Sequence, residues 1–131
     1  MTGLDTNILI RYLTQDHPEQ PNIANRIIED NISEDNKGYI SLIVLTEIVW
    51  VLKSCYGQTK ATLIGVIEQL LTTRELRVEQ ADIAIRALRN WQQNSGDFSD
   101  ALIAASSENN GCSQTLTFDK KAVSLGMTLA I

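Results

Sequence analysis

A chain of 131 residues is long enough for one domain with a real core. Its 44 % apolar and 21 % charged residues, with few glycines and prolines, exclude a fibrous or disordered protein. A formal net charge of −5 is unusual for a nucleic-acid binder.

In chain order, residues 2–4 read as a short buried strand and residues 7–13 as a helix beginning directly after Asp5 and Thr6. The opening MTGLDTN has neither the basic nor the apolar segment of a secretory signal, so a cytoplasmic protein is expected. His17, the single histidine, precedes Pro18 and belongs in a surface turn, which excludes mechanisms built on a histidine pair. Pro18 and Pro21 suit the first turn of a second helix, with Ile23, Ala24, Ile27 and Ile28 at helical spacing. A polar loop over 33–37 leads into a strand over 38–41.

The stretch ISLIVLTEIVWVL, residues 40–52, has ten apolar residues and one charge, Glu47. The run from Leu42 to about Tyr56 is too long for an ordinary strand and is expected to be a helix ending at Gly57. No apolar run here or elsewhere reaches the roughly 20 residues of a membrane-spanning helix. Thr59 precedes an amphipathic helix carrying Leu63, Ile64, Ile67, Leu70 and Leu71, which suits either a core or a dimer face.

A strand over 76–78, a helix over 81–91, a turn at Ser95–Gly96 and a small-residue helix over 99–109 follow. A strand over 114–117, a helix over 120–125 and a strand over 128–131 complete the chain. Alternation of strands and helices without hairpin dipeptides predicts an α/β fold: a single-domain three-layer sandwich with a parallel sheet of four to five strands and helices on both faces. Cys55 and Cys112, far apart and outside any CxxC, read as reduced, buried structural thiols.

With one histidine and no serine in a nucleophile-elbow context, chemistry must run on carboxylates. Beyond the carboxyl ends of parallel strands lies the functional crevice of such folds. Asp5 ends the first strand, Asp119 follows the strand at Thr117, Asp97 and Asp100 begin a helix at i, i+3 spacing, and Glu47 sits early in its helix. Each has an ordinary alternative. Asp5, Asp97, Asp100 and Asp119 all suit helix starts, and Glu47 shares a narrow solvent stripe with Thr46, Lys53 and Ser54. Together the five acids would repel one another and require a positive partner. Oxygen donors without His or Cys favour Mg²⁺ or Mn²⁺, one or two ions, suited to in-line displacement at a phosphodiester.

Four segments, GLDTNILIRYL from Gly3, SLIVLTEIVWVL around Glu47, DFSDALIAA from Asp97 and LTFDKKA from Leu116, resemble in order and spacing the PIN-domain nucleases, most closely the VapC type of toxin endoribonuclease. The resemblance implies that Asp5, Glu47, Asp100 and Asp119 are the catalytic, metal-binding acids. It adds Asp97 as an extra acid found in some members, and Asn7 and Thr117 as supporting polar residues. On this reading Glu47 faces the metal crevice while its apolar neighbours pack the helix against the sheet. The family further implies Mg²⁺ or Mn²⁺, an RNA substrate, a cognate antitoxin protein and a homodimer.

Setting the five acids aside leaves eleven acidic against eleven basic residues. Arg11, Lys120 and Lys121 are candidates for phosphate contact. Neither a basic stripe nor an aromatic stacking platform is evident, so affinity for long RNA is expected to be modest. The alternatives are a PIN-fold binding module without activity and a phosphoacceptor receiver-type domain. The latter lacks the paired acids after the first strand and the Lys after the last.

Overall fold

The computed structural model describes residues 1–14 and 20–131, and the side chains of all of these but residues 20–22. His17 and Pro18, assigned above to a turn and a helix start, lie outside the described residues. The chain divides into two compact units, Met1–Glu79 and Gln80–Ile131.

The first unit runs β1 (Thr2–Gly3), α1 (Thr6–Thr14), α2 (Gln20–Asn31), β2 (Gly38–Ile40), α3 (Leu42–Ser54), α4 (Lys60–Thr72) and β3 (Leu76–Val78). Its three strands form a parallel sheet in the order β1-β2-β3, with Thr2 opposite Gly38 and Ile40 opposite Val78. Parallel neighbours require long crossovers, and here each crossover is a pair of helices. Main-chain bonds from Leu4 N–H to Tyr39 O (2.9 Å) and from Glu79 N–H to Ile40 O (2.8 Å) carry the pairing one step past the strand ends.

Helix starts follow capping chemistry. Ser41 Oγ accepts from Val44 N–H ahead of α3, and Thr59 Oγ1 accepts from Thr62 N–H ahead of α4. Glu79 Oε1 adds a second acceptor for α3, taking the Leu42 N–H at 2.9 Å. Leu45, Ile48 and Leu52 of α3, Leu63 and Ile67 of α4, and Leu9 and Ile10 of α1 are buried with Ile40.

The second unit contains α5 (Ala81–Gln93), α6 (Phe98–Asn109), β4 (Leu116–Thr117), α7 (Lys120–Val123) and β5 (Thr128–Leu129). The i, i+3, i+4 set Ile83, Ala84, Ala87, Leu88 and Trp91 is buried on α5, as its periodicity predicts. Small residues Ala101 and Ala105 on α6 let α5 and α6 pack closely, and Trp91 meets Phe98 with ring centroids 5.5 Å apart. The indole N–H of Trp91 donates to Gly96 O at 2.9 Å, closing the turn between the two helices.

The parallel α/β character is as expected, but the single sheet of four to five strands is not: β4 and β5 pair in parallel with each other as a separate two-stranded ladder. Strands of two or three residues offer few backbone bonds, so their partners are set by neighbouring packing and not by their own sequence. Four burial expectations also change. Ile43 and Trp50, assigned to the face packed on the sheet, are 72 % and 64 % exposed. Cys55 and Cys112 are free thiols as expected but exposed, both lying just beyond helix ends.

Candidate active site

In the first unit two acids gather around one residue. Thr6 opens α1, and its position on the same face as Leu9 and Ile10 buries it. Its backbone N–H donates to Asp5 Oδ1 at 2.8 Å, and its hydroxyl donates to Glu47 Oε1 at 3.1 Å. Asp5 is thereby oriented at the end of β1, and Glu47 is tied to α1 from the second turn of α3. Both carboxylates are exposed. Glu47 lies on the exposed side of α3, between Ile43 and Trp50, so these two neighbours do not pack the helix against the sheet as expected.

In the D-T-N motif the structure adds a residue that the sequence reading did not single out. Asn7 is exposed, whereas Thr6 is the buried residue that bonds both carboxylates. Its helical phase with Leu9 and Ile10 was the available signal. Arg11 lies half-buried one turn further along α1.

In the second unit Asp100 feels the charges of Asp97 and Asp119. Asp97 occupies the N-cap position of α6 without a side-chain capping bond, and Asp100 lies in the first turn. Burial pushes the Asp100 carboxyl above the usual carboxylate range, and the negative charges of Asp97 and then Asp119 push it further. Asp119 is held by its own turn: its N–H donates to Thr117 Oγ1 at 3.0 Å, and its Oδ1 accepts from Lys121 N–H at 2.9 Å as the cap of α7.

The segment carrying Asp119 is anchored to the α5–α6 turn from several sides. Ser124 Oγ donates to Ser95 O at 2.7 Å, and Asn90 Nδ2 donates to Leu125 O at 2.7 Å. Gly96 has φ +104°, and a Cβ there would lie 2.7 Å from Leu125 Cδ1 and 3.0 Å from Lys121 O. The turn that presents Asp97 and the segment that presents Asp119 are thus braced against each other. Lys120 and Lys121 are exposed in the first turn of α7.

Each unit therefore holds part of the acidic set: Asp5 and Glu47 in the first, Asp97, Asp100 and Asp119 in the second. Among the described residues, no three acidic, imidazole or thiol side chains stand close enough together to ligate one ion. No helix formed by them is long and apolar enough to cross a membrane.

The model of the PIN domain family matches residues 4–126, and the chain belongs to that family. It is also similar to a VapC ribonuclease of Aquifex aeolicus (strain VF5), 22 % identical over 126 residues that cover 96 % of this chain and 93 % of the relative. Membership of this family removes the ground for the receiver-type alternative.

Proposed function

We propose that the chain is a divalent-metal-dependent endoribonuclease that hydrolyses RNA phosphodiesters and acts as the toxin of a toxin–antitoxin pair. The observation that carries this reading is the family match over residues 4–126, which runs through both units and includes all five acids. The VapC ribonuclease similar along nearly its whole length supports the RNA substrate and the antitoxin partner. On this reading residues 1–131 work as one nuclease domain, cytoplasmic and homodimeric.

The proposed ligands are Asp5, Glu47, Asp97, Asp100 and Asp119, holding one or two ions. Two observations suit a hard cation: every donor is a carboxylate oxygen, and the charge accumulated around Asp100 already opposes its ionisation. When bound, Mg²⁺ or Mn²⁺ would supply charge neutralisation at the phosphate and a more acidic water. The chain's own residues do the positioning. Thr6 orients Asp5 and Glu47, and Thr117 with the Lys121 N–H fixes Asp119. Asn7 supports the site from the exposed side of α1, and Arg11, Lys120 and Lys121 contact RNA phosphates.

A binding module without activity is the second reading. Cleavage assays separate the two. Single-stranded RNA should be cut in Mn²⁺ and spared in EDTA, and Asp5→Asn or Asp119→Asn should reduce cutting by at least about 100-fold with the circular dichroism unchanged. Unaltered cutting by either variant would remove the assignment. Growth arrest on expression without a partner would support the toxin role, and harmless expression of an active enzyme would refute it.

A further inference from the structure

Phe118 is 79 % exposed, more than any other large apolar side chain away from the two chain ends among the described residues. It stands in the turn between β4 and α7, flanked on both sides by residues that the turn holds in place. The Thr117 hydroxyl accepts the Asp119 N–H, and the Asp119 carboxylate accepts the Lys121 N–H. The turn's own bonds therefore fix the backbone on either side of a ring that packs little of itself. After the intervening Asp119 come two exposed ammonium groups, Lys120 and Lys121, so residues 116–123 carry a net charge of +1 in a chain that is otherwise strongly acidic.

We propose that Phe118 is a stacking platform for an unpaired base of single-stranded RNA, with Lys120 and Lys121 contacting the adjoining phosphates. The proposal rests on the ribonuclease reading and adds to it a residue that positions the substrate. Three features favour a nucleobase over a protein surface. A flat ring on a braced turn offers an exposed π-face, bases of any identity accept it, and the nearby Lys120 and Lys121 complement a phosphate backbone. Phe118 immediately precedes Asp119, so a base seated on the ring brings its own phosphates to the acid. The ring touches substrate without taking part in bond breaking, which makes it a positioning residue.

The test is equilibrium binding of a fluorescein-labelled short single-stranded RNA in EDTA, read by anisotropy, with wild-type chain, Phe118→Ala, Phe118→Leu and Phe118→Trp. Loss of the ring in Phe118→Ala should weaken binding roughly 5- to 150-fold. Phe118→Leu, which keeps apolar area but has no π-face, should resemble Ala, and Phe118→Trp should bind at least as tightly as wild type. Fully paired RNA should not distinguish the variants. Because the ring is exposed, all four chains should melt together. Wild-type affinity in Phe118→Ala or Phe118→Leu overturns the stacking role, as does a change in sedimentation mass with RNA binding intact, which would make the ring a protein contact. If wild type still cuts RNA in Mn²⁺ under either result, stacking alone has failed. If it neither binds nor cuts, the nuclease reading has failed with it.

Discussion

Thr6 and Glu47, 41 residues apart in sequence, are joined by a hydrogen bond of 3.1 Å from a buried hydroxyl to an exposed carboxylate. The same Thr6 gives its N–H to Asp5, so one residue sets the orientation of two acids. Thr6→Val keeps the shape and removes the hydroxyl. It should cost about 1 kcal/mol and lower the melting temperature by roughly 3–6 °C. Thr6→Ser should restore most of both stability and RNA cleavage, and equal cleavage by Thr6→Val and wild type would show that Glu47 needs no such guide.

Asp100 provides a test with a definite sign. Its carboxyl is raised in the folded state by burial and by Asp97 and Asp119, so the folded chain holds that proton more tightly than the unfolded chain. The stabilisation this gives is complete below the unfolded value, near pH 3.9, and is lost as pH rises through the higher folded value. At pH 7 without metal, Asp100→Asn should therefore melt at a higher temperature than wild type. The difference should close as pH falls below about 4. The same variant should lose divalent-dependent cleavage, and a variant both less stable and inactive at pH 7 would contradict the charge argument.

Metal linkage follows from the same repulsion. Titrating Mn²⁺ into the wild type should raise the melting temperature and reverse on adding EDTA, and in acidic buffer, where Asp100 is still partly protonated, it should also release protons. At a hundredfold excess over the dissociation constant, the stabilisation should approach about 2.7 kcal/mol. Asp100→Asn should show a smaller rise, and a flat thermal response in the wild type would argue against an acidic metal centre.

Gly96 offers a check on how the second unit is braced. Its positive φ and the close approach of Leu125 and Lys121 O leave little room for a side chain. Gly96→Ala should destabilise by roughly 1–3 kcal/mol, detectable by chemical denaturation. Cleavage should fall as well, because the turn carrying Asp97 and the segment carrying Asp119 would both shift.

The elements most plainly written in the sequence were those with strong periodicity or unambiguous ends. Strand β3 falls at residues 76–78, and the buried set of α5 is the one its spacing indicates. Asp5, Asp97 and Asp119 do stand at element junctions, although Asp119 also performs the capping role that was its ordinary alternative. Strand partnership was not legible, since β4 and β5 have two residues each and carry no pattern that selects a partner. Exposure within apolar stretches was equally hidden. Ile43 and Trp50 look like core by composition, yet both face solvent. Only the packing of neighbouring elements decides such cases.

Cys55 lies in the first unit and Cys112 in the second, both solvent-accessible, and the chain has no third cysteine. The native protein thus comes with one labelling handle on each half of its acidic set and needs no engineered ones. A nitroxide on each sulfur would turn the pair into a spectroscopic ruler, reporting whether the halves change their separation as manganese-free buffer is exchanged for magnesium or for RNA.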